Sequence, residues 1–115
     1  MNKYINHIDS FYQAQRGFVY LTSFHLTRDT ELEGLKVSVQ IILAKSTFDH
    51  DEHIVITFTG VQDLKLGSLT ILYPLAFDII DVSKDQLEGV RYKVDESEGN
   101  VFSFYCSQIT FEILG

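Results

Sequence analysis

The sequence predicts a mainly β domain, an antiparallel sandwich or strongly curved sheet of about six to seven strands. Three observations predict it. Apolar and polar residues alternate with period two through most of the chain after residue 18. The connections between these runs are short and rich in Gly, Asp, Asn and Ser, the residues that turns select. No series of long helical crossovers is present to build a parallel βαβ array. A variant of this class, α+β with one short N-terminal helix, follows from the first residues. Tyr4, Ile8, Phe11 and Tyr12 form one apolar stripe at helical spacing, which places a helix over about residues 3–15 with Gly17 beyond its end.

From residue 18 the strands follow in order. Residues 18–28 put Phe18, Tyr20, Thr22, Phe24 and Leu26 on one face and Val19, Leu21, Ser23 and His25 on the other. After a polar turn, Leu35, Val37, Val39, Ile41 and Leu43 point inward, with Lys36, Ser38 and Gln40 outward. This is the cleanest alternation in the chain. A charged hairpin connection over residues 45–52 leads to residues 53–59, with Ile54, Ile56 and Phe58 on one face. Gly60 permits a bend or bulge where a side chain is costly. Val61, Leu64 and Leu66 continue as an irregular turn or short strand. Pro74 argues against a central strand at its own position, and Leu75, Phe77 and Ile79 then alternate with Ala76, Asp78 and Ile80. Residues 82–89 read as a turn or one helical turn, with Ser83 capping its start and Gly89 closing it. Val90, Tyr92 and Val94 form a short strand. Residues 95–100 form a solvated turn, Phe102, Phe104 and Cys106 share one face, and Ile109, Phe111 and Ile113 share another.

The 115 residues suit a single domain spanning the whole chain, large enough to bury one hydrophobic core. Apolar residues make up 45%, and the aromatic set of nine Phe and six Tyr falls mostly in the alternating runs. Cys106 is the one cysteine, so no intramolecular disulfide forms, which suits a reducing compartment. With no apolar run resembling a signal peptide or a membrane span, the expected location is cytoplasmic.

Net charge is −7. The first 57 residues carry five basic and seven acidic side chains, and the remainder four and nine. Without a Lys/Arg cluster to track phosphates, direct nucleic-acid binding is disfavoured. The acidic balance points instead toward a basic protein partner, since complementary fields speed encounter and select partners.

Candidate chemistry is sparse. His50 and His53, with Asp49 or Asp51, offer divalent-metal ligands, yet their spacing matches no strong metal motif and a solvated hairpin explains the cluster's charge and position. Cys106 with a distant His25, His50 or His53 base is a formal nucleophile pair, but the thiol follows two strand Phe residues and reads as core. Asp78 and Asp81 offer no dependable carboxylate pair. No phosphate-cradling or dinucleotide motif occurs, so no cofactor and no enzyme activity are expected. The alternative is a small enzyme or metal-binding protein built on the His50/His53 region.

Three segments carry a resemblance: Ile56-Thr57-Phe58-Thr59-Gly60-Val61-Gln62-Asp63-Leu64, Gly89-Val90-Arg91-Tyr92-Lys93-Val94 and Phe102-Ser103-Phe104-Tyr105-Cys106. They are mostly strand-packing residues. With them the chain resembles a loose group of small, uncharacterised bacterial β-rich proteins, some associated with toxin-immunity loci. That resemblance implies an inhibitory binding module for a cognate toxin, a task that needs a complementary surface and no catalytic set. The expected function is therefore non-enzymatic protein binding. The expected contacts, grouped by charge, are Asp78, Asp81, Asp85, Glu88, Asp95, Glu96 and Glu98. Monomer and homodimer both remain open.

Overall fold

A computed structural model describes residues 3–5, 9, 12–13, 17–18, 20–28, 36–45, 52–67, 75, 77–85, 89–96 and 101–114. The alternating runs become β2 (Tyr20–Arg28), β3 (Val37–Ala44), β4 (His53–Thr59), β5 (Gln62–Leu66), β6 (Phe77–Asp81), β7 (Tyr92–Glu96), β8 (Phe102–Cys106) and β9 (Gln108–Leu114), preceded by a short β1 (Lys3–Ile5). A 3-10 turn, Ser83–Asp85, follows β6. All pairings are antiparallel, in a five-stranded sheet ordered β1-β9-β4-β3-β2 and a four-stranded sheet ordered β5-β8-β7-β6. The predicted mainly β, antiparallel class is the observed one.

The two sheets share two through-going segments. β4 runs into β5 and β8 into β9, so the chain passes between the layers twice, side by side, at Gly60-Val61 and at Ser107. Ser107 donates to the Thr59 carbonyl through both its amide and its hydroxyl, each at 2.9 Å. Gly60 has φ +70°, and a Cβ there would overlap the Ser107 hydroxyl and sit 3.2 Å from Ser107 Cβ. The bend Gly60 permits is thus a corner between layers. It also explains why Cys106 and Ile109, three apart, both face inward: the inward parity changes at Ser107 as the strand changes sheet.

The core lies between the inward rows. Ile41 sits beside Phe24 and Ile56, and Ile56 beside Phe111; in the other layer Ile79, Val94 and Phe104 form one row. Val39, Ile41, Leu43, Ile54, Ile56 and Phe58 are fully buried, as their alternation requires. Aromatic rings join the layers: Phe58 meets Phe104 edge-on with centroids 4.9 Å apart, and Phe24 lies 6.1 Å from Phe102.

Two expectations need correction. The first is the helix over residues 3–15. Lys3–Ile5 is a strand paired with β9, while Asp9, Tyr12 and Gln13 have helical backbone. Tyr4 satisfies helical spacing and strand pairing alike, and the open edge of β9 decided between them. Ile8 and Phe11 lie outside the described residues. The second concerns β2. Its register against β3 shifts between Leu21 and Ser23, so Leu21 joins Phe24 and Leu26 on the inner face and Tyr20 moves to the other. The bulge inserts Thr22, whose hydroxyl donates to the Ile42 carbonyl at 3.1 Å.

Replacing Gly60 by Ala should destabilise the chain by about 1–3 kcal/mol, through the left-handed backbone and the overlap with Ser107. Phe104→Ala should cost about 3–5 kcal/mol, because it empties the buried centre of the interlayer contact. Urea denaturation of both variants checks these values; a near-zero change at either position would contradict the packing described.

Candidate partner-binding site

The outward face of the four-stranded sheet is set by register. Asp78 lies opposite Asp95, Asp95 opposite Ser103, and Ser103 opposite Lys65. The neighbouring row runs Ile80, Lys93, Tyr105, Gln62. Directly opposed side chains on antiparallel strands stand about 5 Å apart at Cβ, and like charges so placed repel. Asp78 and Asp95 are such a pair, and neither forms an ion pair with another described residue. Beside them Ile80 is 51% exposed, and the Lys93 ammonium lies 5.9 Å from the centre of the Tyr105 ring. On the other side of Asp95 an open cleft of about 250 Å³ is lined by Lys65, Leu66, Gly67, Phe102 and Ser103, with Leu66 also 51% exposed. The arrangement presents two adjacent carboxylates with Ile80, Lys93 and Tyr105 on one side and Ser103, Lys65 and the exposed Leu66 on the other.

The seven acidic residues grouped from sequence separate into different roles. Asp78 and Asp95 share the outward face. Asp81, three residues after Asp78 and thus of opposite parity, ends β6. Its Oδ1 accepts the Ser83 amide at 2.9 Å and the Ser83 hydroxyl at 2.6 Å. These bonds hold the Asp81 carboxyl below its ordinary range. Asp81 therefore caps the 3-10 turn, the task expected of Ser83, through the two-residue side-chain turn that Asp favours. Asp85 ends that turn. Glu88 and Glu98 lie outside the described residues.

Glu96 corrects the expectation outright. It belongs to β7 rather than to a solvated loop, and it is fully buried. Its Oε2 accepts the Val101 amide at 3.1 Å, closing the connection to β8 from within. A carboxylate so enclosed cannot meet a partner. The signal was in the alternation, since Tyr92, Val94 and Glu96 fall on one face. Asp95 likewise lies on a strand, half-exposed.

The other candidates scatter. His53 opens β4 and lines a shallow cleft with Thr22, Ile42 and Ala44; His50 lies outside the described residues. Among the described residues no three His, Cys, Asp or Glu side chains converge as metal ligands. His25 is exposed on the outward face of the five-stranded sheet, whereas Cys106 is buried in the other layer beside Tyr92. Burial pushes the Cys106 thiol up to about 12, which leaves no thiolate for nucleophilic attack at neutral pH.

An exposed carboxylate pair on a β sandwich sets the context for comparison with known families. The family described as Immunity protein PIM8 matches over residues 3–112. The chain belongs to that family. No curated relative and no solved structure matches it. Membership of an immunity family brings an inhibitor-type, protein-binding role directed at a cognate toxin, and such families are generally non-enzymatic. For a PIM8 immunity protein the outward face bearing Asp78 and Asp95 is then a candidate contact surface, and the buried thiol and buried Glu96 belong to its frame.

The frame has its own pH signature. Because the folded Cys106 value of about 12 lies above the ordinary 9.0, this contribution to stability is complete below pH 9.0 and is lost as pH rises from 9.0 toward 12. Desolvation raises the Tyr92 hydroxyl too, so it acts in the same direction at alkaline pH. Thermal melting should therefore fall through this window, and Cys106→Ala should lessen the fall without abolishing it. A thiol reagent at neutral pH should label Cys106 only on unfolding; rapid labelling of the folded chain would contradict its burial.

Proposed function

We propose that this immunity protein inhibits a basic cognate toxin by docking on it with the outward face of the β5-β8-β7-β6 sheet. The observation that carries the reading is the Asp78–Asp95 pair. Two carboxylates are held opposite each other without a described ion-pair partner, a repulsion that an incoming Lys or Arg relieves. Ile80 and Leu66 supply exposed apolar area on either side, and Tyr105 a ring with a hydroxyl, the mixture from which interface centres are built. The net charge of −7 steers a basic protein toward the chain, and the local pair orients it. Inhibition by such a surface requires occlusion only, with no bond made or broken. The encounter takes place in the cytoplasm on this reading, where a lone reduced thiol is stable.

The test uses a toxin encoded beside the chain's gene, titrated calorimetrically with the wild type and with Asp78→Asn/Asp95→Asn. The double substitution should weaken binding at least about tenfold, or about 1.4 kcal/mol, and flatten the salt dependence. Glu96→Gln serves as a contrast, lowering stability while leaving the outward face intact. Equal affinity for wild type and the double variant would remove this face from the interface.

A further inference from the structure

A two-layer sandwich leaves four strand edges, each a row of amide and carbonyl groups able to template another strand. Three of these edges are blunted. β1 is only three residues long. β5 is interrupted: Asp63 has φ 53°, and the register against β8 shifts between Gln62 and Lys65. β6 is covered by Tyr12, whose hydroxyl accepts the Ile79 amide at 2.8 Å and donates toward the Ile79 carbonyl at 3.4 Å. β2 differs. It is nine residues long, its bulge lies near its start, and residues 23–28 pair regularly with β3 on one side. On the other side no described residue hydrogen-bonds them. His25, Leu26, Thr27 and Arg28 are exposed, Leu26 at 44%.

We infer that two copies of this chain associate through antiparallel pairing of their β2 edges about a two-fold axis, joining two five-stranded sheets into one of ten. Charge selects this occupant. Residues 10–28 contain no Asp or Glu, although the chain carries 16 acidic residues. Two copies meeting at β2 thus bring no carboxylate of that strand together; the acidic residues nearest in sequence, Asp9 and Asp29, fall outside it. The same acid-free edge, ending in Arg28, is unsuited to a basic protein. Centred on Leu26, the pairing sets Leu26 against its own copy, His25 against Thr27, and Phe24 against Arg28. The exposed Leu is then covered, and each residue's partner is reciprocal, as a two-fold interface requires. The outward face bearing Asp78 and Asp95 belongs to the other sheet and stays open.

Sedimentation and light scattering over a concentration series test this with the full chain, without toxin. The wild type should pass from a mass of 13.2 kDa toward twice that value. Leu26→Lys/Thr27→Lys places like charges across the axis at exposed positions and should weaken association at least about tenfold. Hydrogen exchange on the wild type gives a reading independent of any variant: amides of residues 23–28 should gain protection as concentration rises. A mass of 13.2 kDa throughout, association unchanged by the double substitution, or protection confined to another edge would overturn the inference. Protection of residues 23–28 that appears only on adding toxin would assign the edge to the toxin and also overturn it.

Discussion

Everything in this fold is arranged around the place where two neighbouring strands turn together from one layer into the other. At that corner Ser107 satisfies the Thr59 carbonyl with both amide and hydroxyl, and Gly60 supplies a left-handed residue with no side chain to obstruct it. Because β4–β5 and β8–β9 bend side by side, each layer receives one strand from each segment, and the remaining strands add outward from them. The corner also sets which way each row faces. Cys106 and Ile109 both enter the core only because the parity of the strand changes between them.

The position of charge follows from this geometry. In the four-stranded layer, residues of one parity fill the interlayer space and those of the other meet solvent, so neighbouring acidic residues have opposite fates. Asp95 is half-exposed on the outward face, and Glu96, one residue on, is buried against the Val101 amide. Asp81 spends its carboxylate on the adjoining turn. What the outward face presents is one opposed pair of carboxylates, with Ile80, Lys93 and Tyr105 beside it, rather than a broad acidic field.

Tyr12 packs against the buried cluster and places its hydroxyl on the backbone of β6, so one aromatic side chain both fills space and closes a strand edge. The contrast with β2, whose outer edge has no such cover among the described residues, distinguishes a sheet boundary that is sealed from one that is left available.

The sequence alone determined the strands from β2 onward, β5 only as an irregular turn or short strand, and most of their inward faces, because alternation is a local property that burial on one side of a sheet enforces. The run through Val39, Ile41 and Leu43 and the run through Ile54, Ile56 and Phe58 were legible in this way, and so was the special character of Gly60. The same alternation held the outward face, where Asp78 and Ile80, Lys93 and Asp95, and Ser103 and Tyr105 share parity, but grouping by charge hid it. Tertiary structure decided the rest. The bulge that turns Leu21 inward, the pairing of Tyr4 with Phe111, the bond from Tyr12 to a residue 67 positions away and the opposition of Asp78 to Asp95 all depend on which strands become neighbours. Neighbour choice is made by closing a shared core over long sequence distances, and period-two patterning carries no record of strand order.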